Sequence, residues 1–401
     1  MSTNKKIAFV VVLLAVIGGI WYLESLKARP ENSGQNGQAI DVNSLLADTT
    51  STATSTTGNP ANRANINPAL AQLVAADKAA GDQPAIEIAN PAGFINAPAG
   101  FTLSSIIGKK VILLDFWTYS CINCVRTIPY LDAWYQKYAS SGLEIVGIHT
   151  PEFDFEKNLT NVQNAVAEYG IHYPVILDSN YGTWNAYNNL YWPHEYLIDM
   201  AGYIVHDQVG EGSYPETEGE IQKLLAQRDL ILGTSAAAIP TSTVNMTPSN
   251  LNEIQSPETY FGAARNSLLA NGTVMTNGTQ TFTAPAASTI QPNRLYLGGT
   301  WNFADQYATN VNAGATITYE YDAGNVYIVA AGAPAGTVVN VMQDGAPISA
   351  ADAGTDVHNG TIVISGNKLY NLVKNASGGG EHILQLIVET PGLQAFTFTF
   401  G

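Results

Sequence analysis

Two cysteines three positions apart are the residues of this chain whose types and spacing most clearly allow chemistry. Cys121 and Cys124 are the only two cysteines in the sequence, and they lie in the run DFWTYSCINC. An apolar stretch precedes the pair and a helical pattern follows, so Cys121 is expected at a helix N-terminus, where free N–H groups and the helix dipole favour a thiolate. Cys124 would lie one turn further on, so Cys121 is the predicted nucleophile and Cys124 the predicted resolving thiol.

Two structural alternatives explain this pair less well. A structural zinc site needs about four ligands, and the sequence has no second cysteine pair and no His-x-x-x-His to supply the others. A disulfide that only closes a four-residue loop would stabilise the fold by about 2 kcal/mol. The pattern therefore indicates disulfide exchange, with no metal and no cofactor.

The residues just before the motif suggest two supporting roles. Asp115 occupies a strand position that should point inward beneath the cysteine-bearing turn. A buried carboxyl has a raised pKa, which would suit Asp115 to carry the proton of Cys124; the alternative is an exposed aspartate at a strand end. Trp117 is expected to pack beneath the motif and exclude water. Arg126 is either a solvated helix residue or a partner of the Cys121 thiolate.

Alternating strand and helix patterns must position these side chains. Buried strand patterns cover residues 111–117, 143–149, 173–177, 195–199 and 203–209, and helical patterns cover 121–138, 161–169 and 216–228. Strands that alternate with helices imply a central sheet with helices on both faces. We therefore predict an α/β domain over residues 84–230.

The flanking segments predict an anchor, two linkers and a second domain. Lys5 and Lys6 precede an uncharged apolar run, residues 7–23, so residues 1–27 are predicted to form a single transmembrane helix. Residues 28–83 and 231–252 are rich in small and polar residues and are predicted to be flexible linkers. Regular short β patterns over residues 253–401 predict an all-β sandwich.

The charge balance excludes one class of partner. The formal net charge is −16 and the isoelectric point is near 4.6, whereas phosphate backbones require a basic surface. Nucleic acid is therefore not an expected partner. An N-terminal anchor usually leaves the following chain outside the cytoplasm, where disulfides form and persist.

Several longer motifs resemble one family. DFWTYSCINC, GIHTPEFDFEKN and YWPHEYLID resemble the extracytoplasmic thioredoxin-like region of DipZ-type proteins, which are relatives of the TlpA and ResA thiol-disulfide oxidoreductases within the redoxin, or AhpC/TSA-like, group. SPETYFG, LGGTW and GLQAFTFTFG extend the resemblance into the second domain. The resemblance implies a thioredoxin-like fold followed by a sandwich similar to a carbohydrate-binding module.

The same resemblance implies roles for four residues outside the motif. In thioredoxin-like proteins a cis-proline faces the Cys-x-x-Cys pair, and the backbone before it pairs with substrate; Pro193 takes that role here and Trp192 is its neighbour. Glu152 would lie near the cysteines and tune the thiols, or be a plain surface carboxylate. His194 would approach the sulfurs, or be an ordinary residue at a sheet end.

Other consequences of the resemblance concern partners. DipZ-type proteins resemble fusions with a CcdA-like electron-transfer region, whereas this chain has one hydrophobic span, so electrons would come from a separate membrane protein of the CcdA type, or the protein would act as an oxidant or isomerase. Four aromatic residues of the second domain either form a platform for carbohydrate or fill the core: Trp301, Tyr319, Tyr321 and Tyr327.

The sequence thus predicts a membrane-anchored, extracytoplasmic thiol-disulfide oxidoreductase that exchanges disulfides with protein substrates. Two alternatives stay open. Thr118-x-x-Cys121 imitates part of the peroxiredoxin signature, although Leu114 stands where that signature has proline. The chain could instead be mainly a binding module, whose second domain holds glycan or a partner protein.

Overall fold

The computed structural model describes residues 37–42, 67–234, 239–246, 254–333 and 335–401. They fall into two compact units: Gln35–Ser249, here called the dithiol unit, and Asn250–Gly401, here called the β unit. The predicted transmembrane helix, residues 1–27, lies outside the described residues. In the part of the chain that the structure describes, every helix is too short or too polar to serve as a membrane span.

A seven-stranded sheet forms the centre of the dithiol unit. Its strands are β1 (Gln83–Pro84), β2 (Gly93–Ile95), β3 (Val111–Trp117), β4 (Leu143–His149), β5 (Val175–Leu177), β6 (His194–Ile198) and β7 (Tyr203–Val209). Their spatial order is β1-β7-β6-β3-β4-β5-β2, in which β3, β4 and β5 run parallel and the other pairs are antiparallel. Every residue of β3 is buried, because this central strand is covered on both faces, as parallel strands usually are.

In the described residues of this unit, five α-helices accompany the sheet, and they cover both of its faces. They are α1 (Pro68–Ala80), α2 (Ile122–Tyr138), α3 (Leu159–Glu168), α4 (Gly182–Ala186) and α5 (Tyr214–Leu232). Leu113 of β3 lies in one core with side chains of α2, α3 and α5, whereas Ile112 and Leu114 lie in another with side chains of α1 and α4. Alternate residues of a strand point to opposite faces, so β3 supplies both cores. The predicted thioredoxin-like α/β fold is confirmed.

Helix α1 contradicts part of the predicted first linker. The side chain of Asn67 accepts a hydrogen bond from the Ala69 N–H at 3.0 Å and caps the helix, which buries Leu70, Leu73 and Val74 against the sheet. The segment is weakly amphipathic and alanine-rich, so its pattern alone did not distinguish it from the linker. Tertiary burial of three side chains stabilises it as a helix.

Part of the predicted second linker also packs against the dithiol unit. Ile239, Val244 and Met246 contact the core that contains α2 and α5. The Val244 N–H donates to Glu218 Oε2 at 2.6 Å. Residues 239–246 therefore contribute to this unit although they form neither helix nor strand.

The β unit consists of antiparallel strands. They are β8 (Thr259–Tyr260), β9 (Gly278–Phe282), β10 (Leu295–Phe303), β11 (Ala308–Asn310), β12 (Ala315–Asp322), β13 (Asn325–Ala331), β14 (Thr337–Gln343), β15 (Ala346–Pro347), β16 (Thr361–Ile364), β17 (Lys368–Lys374), β18 (Glu381–Val388) and β19 (Gln394–Phe400). The order along the main path is β15-β14-β18-β12-β10-β11-β19-β13-β17. Side chains from both ends of this path meet in one core, so the predicted sheet-rich domain is confirmed.

Strand β10 changes its pairing partner on one side along its length. Its first half pairs with β12 as far as Gly298, and from Gly299 onward it pairs with β9. Gly299 has φ +83°, and an added Cβ would lie 3.2 Å from the Ala315 Cα. Only glycine adopts this conformation without strain, so the change of pairing occurs there.

Three of the four aromatic residues considered for a carbohydrate platform belong to the core. Trp301, Tyr319 and Tyr321 are buried. Trp301 Nε1 donates to the Gly298 carbonyl at 2.9 Å, and the Tyr319 hydroxyl lies 2.8 Å from Thr259 Oγ1. The alternative that these three residues form an exposed platform for carbohydrate is therefore wrong. Tyr327 is half-buried.

Candidate active site

The two cysteines occupy unequal environments at the start of α2. Cys121 is the N-cap residue, with φ −81° and ψ 114°, and its side chain is half-buried. Cys124 lies one turn further on and is 1% exposed. Its burial raises the pKa of the Cys124 thiol well above the ordinary value, and Cys121 and Asp115 add to this shift. Of the two sulfurs, that of Cys121 is the more accessible to a substrate.

Asp115 lies in the core beneath the motif. It is 1% exposed, on the same face of β3 as Leu113 and Trp117, which belong to one core with Cys124. Burial raises the pKa of Asp115 to about 8. Its Oδ1 atom has no hydrogen-bond partner among the described residues, so it is an available proton acceptor when ionised.

Trp117 fills the space around this carboxyl. It is fully buried, and its ring meets that of His149 edge-on with centroids 5.1 Å apart. An added Cβ at Gly147 would lie 2.8 Å from Trp117 Nε1. The absence of a side chain at Gly147 thus leaves room for the indole between β3 and β4.

Pro193 lies immediately before β6, the strand next to β3, and near Cys121. The Trp192–Pro193 peptide bond is cis, and the Trp192 carbonyl oxygen lies 4.0 Å from Cys121 Sγ. Trp192 Nε1 donates to the Thr150 carbonyl at 3.1 Å, and its ring packs at 4.2 Å from that of Trp184. The structure therefore brings the Pro193 loop and Cys121 together, while the role of this loop in substrate docking stays a prediction.

Arg126 joins the cysteine-bearing helix to this loop. Its Nε donates to Glu211 Oε2 at 2.8 Å, its Nη2 contacts Glu211 Oε1, and Nη2 also donates to Asn123 Oδ1 at 2.7 Å. Glu211 follows Gly210, whose N–H donates to the Pro193 carbonyl at 2.9 Å. Arg126 is therefore neither a freely solvated residue nor engaged with the motif alone.

A buried carboxylate lies beside the active-site turn, and it is Glu156, which the sequence analysis did not single out. Glu156 is fully buried and accepts hydrogen bonds from Ser120 Oγ at 2.6 Å and from the backbone N–H groups of Glu152 and Phe153 at 2.6 and 2.8 Å. Burial raises the pKa of Glu156 to about 7, and these hydrogen bonds partly oppose the shift. The side chain of Glu152 is half-buried.

The sequence pattern did not identify Glu156 because HTPEFDFE offers three carboxylates within five residues. A 3₁₀ turn, Asp154–Lys157, decides which of them points inward. The one available signal in the sequence was the pair of apolar residues Phe153 and Phe155 among these carboxylates. In the structure their rings stack, with centroids 5.6 Å apart.

His194 lies on the face of the sheet away from Cys124. It is opposite Phe116 in the β3–β6 register, and its ring packs at 4.1 Å from that of Tyr196. Its nitrogens face Asn189 Oδ1 at 2.5 Å and Asp207 Oδ2 at 3.2 Å. The structure does not bring this imidazole to the sulfurs, because alternation along β6 points it into the other core.

A second buried carboxyl near the motif was missed by the sequence analysis. Glu195 is 3% exposed and lies opposite Asp115 in the β3–β6 register. A glutamate in a strand usually points to solvent, so the pattern contained no signal for it. Its burial follows from its place on the face that α2 covers.

Family models match most of both units. The model described as Redoxin matches residues 87–225, and the model described as Thioredoxin like C-terminal domain matches residues 256–401. Protein DipZ of Mycobacterium tuberculosis is 38% identical over 313 residues, which are 77% of this chain and 41% of the relative. The chain thus spans about two fifths of the length of the DipZ relatives it matches.

Shorter relatives match about a third of the chain. Thiol-disulfide oxidoreductase YkuV of Bacillus subtilis is 27% identical over 147 residues, which are 37% of this chain and 97% of the relative. Thiol-disulfide oxidoreductase ResA of Bacillus thuringiensis is 29% identical over 133 residues, covering 31% of this chain and 74% of the relative.

Solved structures match a similar share of the chain. A thioredoxin-like protein in its oxidised form, solved in solution, is 27% identical, with a TM-score of 0.34 and coverage of 36% of this chain and 97% of that one. A thioredoxin-family thiol:disulfide interchange protein from Chlorobium tepidum is 25% identical, with a TM-score of 0.31 and coverage of 36% and 97%. The chain is thus a homologue of part of DipZ, in which a region that matches the Redoxin model precedes a region that matches the thioredoxin-like C-terminal domain model.

Proposed function

We propose that this protein is a thiol-disulfide oxidoreductase that exchanges disulfides with protein substrates through Cys121 and Cys124. The thiolate of Cys121 attacks a substrate disulfide, forms a mixed disulfide and releases one substrate thiolate. The sulfur of Cys124 then attacks Cys121 Sγ, which releases the second substrate thiolate and leaves a Cys121–Cys124 disulfide. Two electrons pass from the dithiol to the substrate, and the same steps in reverse oxidise a substrate.

The observation that carries this proposal is the asymmetry of the pair. The half-buried Cys121 has the N-cap position of a helix, whose first N–H groups have no intrahelical partners, and the buried Cys124 has a raised pKa. A substrate disulfide can reach the first sulfur but not the second. This order of access assigns attack to Cys121 and resolution to Cys124.

Asp115 supports the resolving step in this proposal. A thiol attacks a disulfide only as a thiolate, so the proton of the buried Cys124 must leave. Asp115 lies in the same core, and its Oδ1 is not hydrogen-bonded by any described residue. We assign it as the group that takes this proton, while Trp117 excludes water from the transfer.

The backbone at Trp192 and Pro193 is the proposed docking surface for substrates. The carbonyl of Trp192 lies 4.0 Å from Cys121 Sγ, so a substrate segment that pairs with this backbone would bring its disulfide next to the nucleophile. The ion pair between Arg126 and Glu211 holds α2 beside the loop that supports Pro193. Its two side chains are largely buried, so it contributes more to positioning than an exposed pair would.

A thiol-trapping experiment tests this function. The full chain with Cys124→Ser should accumulate mixed disulfides, through Cys121, with client proteins that contain a disulfide. Cys121→Ser should trap none. The wild-type chain should reduce insulin disulfides in the presence of a thiol reductant. Equal trapping by both variants, or catalytic consumption of peroxide with a sulfenic acid at Cys121, would contradict the proposal.

We also propose that the dithiol acts outside the cytoplasm on a chain anchored by residues 7–23. The support is the sequence: two lysines followed by an uncharged apolar run. Removal of residues 1–27 should move the protein from the carbonate-resistant membrane fraction to the soluble fraction, and protease should digest the full chain in intact spheroplasts. A full chain that carbonate extracts would contradict this anchoring.

An electron donor of the CcdA type is the proposed membrane partner. A dithiol that reduces substrates must itself be reduced again, and outside the cytoplasm no glutathione pool does so efficiently. Cells are quenched in acid to stop thiol exchange, and their proteins are then alkylated near neutral pH. Cys121 and Cys124 should be found reduced, and loss of the donor should leave them oxidised. A cysteine pair that is oxidised in normal cells would instead indicate that the protein acts as an oxidant. The reduction potential of the pair, measured against glutathione, would show the direction of electron flow.

A further inference from the structure

Asp115 and Glu195 form a pair of buried carboxyls beneath the cysteines. They are directly opposite in the antiparallel register of β3 and β6, and the next pair on the same face is Leu113 with Leu197. Side chains opposite each other on neighbouring strands have Cβ atoms about 4.5–5.5 Å apart. Both residues are almost fully buried, and their face is the one that shares a core with Cys124.

No cation neutralises this pair within the described residues, where neither carboxyl forms a salt bridge. The ionisable groups that face it are Cys124 from α2, Tyr173 from the segment before β5 and Tyr214 from the start of α5. From the remaining neighbours, β4 places Gly147 beside Asp115, and β7 places Gln208 beside Glu195. His206 of β7 lies opposite Leu197 on the same face, and its Nε2 also lacks a hydrogen-bond partner among the described residues. Asp115 Oδ1, Glu195 Oε2 and the Tyr173 hydroxyl lack hydrogen-bond partners in the described part of the chain.

The proximity of the two carboxyls limits their protonation states. Two ionised carboxylates side by side in a dry core repel each other strongly. Two protonated carboxyls leave no base for the thiol of Cys124. One proton shared between the pair leaves one carboxylate, which the protonated neighbour stabilises by a hydrogen bond, as in other paired carboxyls.

We propose that Glu195 is a positioning residue for the resolving step: it shares one proton with Asp115 and thereby keeps Asp115 able to accept the proton of Cys124. The proposal rests on the disulfide exchange proposed above. Burial raises the pKa of Asp115 to about 8, and burial together with the charge of Asp115 raises the pKa of Glu195 well above its ordinary value. The pair therefore reaches the state with one proton, held by Glu195, as pH rises through about 8, and at pH 7 the ionised fraction of Asp115 is the available base.

The step balances without a further reactant. The Cys124 S–H bond breaks and its proton passes to the Asp115 carboxylate, while the sulfur forms a bond to Cys121 Sγ. The bond between Cys121 and the substrate sulfur breaks, and the substrate thiolate leaves with the electron pair and takes a proton from water. Loss of the Asp115 proton to solvent restores the shared state.

The pH dependence of the resolving step tests this role. The full chain is reduced and mixed with a small aromatic disulfide; release of the first aromatic thiolate reports attack by Cys121, and release of the second reports resolution by Cys124. Glu195→Gln replaces the acid with a permanent hydrogen-bond donor, so the pKa that governs resolution should fall by about one unit or more. Glu195→Leu removes the donor, so the same pKa should rise and resolution at pH 7 should slow by about tenfold.

Opposite shifts in the two variants are the expected result, because a loss of packing would move both in one direction. Attack by Cys121 should stay within about twofold of wild type in both. Glu144→Gln is the matched control, a half-buried strand glutamate bonded to Tyr135 and Lys110, and should leave both steps unchanged. In an Asp115→Asn background, Glu195→Gln should change the profile no further, which keeps the test valid if the leucine variant does not fold.

Two other outcomes are distinguishable. An unshifted resolution profile in Glu195→Gln, with wild-type exchange intact, overturns the role of Glu195 alone. A wild-type chain that releases no aromatic thiolate overturns the proposed function itself.

Discussion

The two units of this chain bury different kinds of polar group. Among the described residues of the dithiol unit, eight carboxylates are buried: Asp77, Asp115, Glu156, Asp178, Glu195, Asp199, Glu218 and Asp229. In the described residues of the β unit, the buried polar side chains are all serine, threonine or asparagine. A buried carboxylate costs far more than a buried amide or hydroxyl unless it is well compensated.

The buried carboxylates of the dithiol unit include both structural residues and residues of the candidate active site. Some of the eight carboxylates are structural, since Asp178 accepts the N–H groups of Thr183 and Trp184, and Glu218 accepts from Lys137. Asp115 and Glu195 retain oxygens without hydrogen bonds next to Cys124. Asp77 and Asp199 also retain one such oxygen each, but they interact with each other, and Asp199 accepts the Tyr203 N–H. Two acids without such compensation thus lie beside the dithiol, and perturbed groups of this kind are typical of functional sites.

The largest expected effect tests whether disulfide exchange is confined to the dithiol unit. Cys121→Ser should lower insulin reduction by at least about a hundredfold, because the nucleophile is removed. Its free energy of unfolding should change by less than about 0.5 kcal/mol, since the side chain is half-buried. Val363→Ala, at an exposed site of the β unit, is the control and should leave activity intact. Substantial activity in Cys121→Ser would break the comparison.

A core substitution in the β unit should lower the stability of that unit and leave disulfide reduction intact. Trp301→Ala should lower the free energy of unfolding of that unit by about 3–5 kcal/mol, because the indole is fully buried and hydrogen-bonded. Hydrogen exchange of the full chain should quicken in β10 and its neighbours but not in β3 or α2, and insulin reduction should persist. Trp301→Phe should show a smaller loss. A fall in activity that matches the loss of protection in the β unit would show that the two units are coupled.

The dithiol unit should also respond to pH in a way that the β unit does not. Asp115 has a pKa of about 8 when folded, against an ordinary value of 3.8, so between these values the folded state binds one proton more than the unfolded state. Its free energy of unfolding should therefore fall with rising pH, by up to about 1.4 kcal/mol per pH unit for this group. The stabilisation is complete below about pH 4 and lost as pH rises through about 8.

Asp115→Asn should remove that part of the slope. Protection of β3 against hydrogen exchange, corrected for intrinsic rates, should decline less between pH 5 and pH 8 in the variant than in wild type. Protection of β12 in the β unit should show the same pH response in both proteins. Identical slopes for β3 in the two proteins would mean that Asp115 titrates normally.

The smallest expected effect concerns the hydrogen bond between Ser120 and Glu156. Its loss in Ser120→Ala should cost about 1.5–3 kcal/mol above pH 7, where Glu156 is ionised, and about 0.5–1.5 kcal/mol at pH 5, where it is neutral. Denaturant unfolding of the full chain at the two pH values measures this difference. Ser179→Ala, which loses only a 3.5 Å contact to the Lys157 carbonyl, should show no such pH dependence. Equal costs at both pH values would exclude a titrating Glu156.

Sequence patterns predicted elements well where one residue type dominated a periodic run. The strands over 111–117, 143–149 and 203–209 were found with those bounds. The first two are nearly continuous apolar runs in a covered part of the sheet, and the third starts with a shorter apolar run and is mostly half-buried or exposed. The helix predicted over 216–228 is Tyr214–Leu232. Helix α1 was missed, since its few apolar side chains are decisive only once a sheet face is present to bury them.

What the sequence determined by itself is the pair of thiols, their spacing at a strand-to-helix junction, and the acid six residues before the first. These are local features, and backbone geometry over one turn is enough to place them. Only the tertiary structure decided which further acids meet them: Glu156 through a turn, and Glu195 through a strand brought in from 80 residues further along. Pairing between distant strands puts a side chain in the core or in solvent by register, and register depends on contacts that no single segment contains.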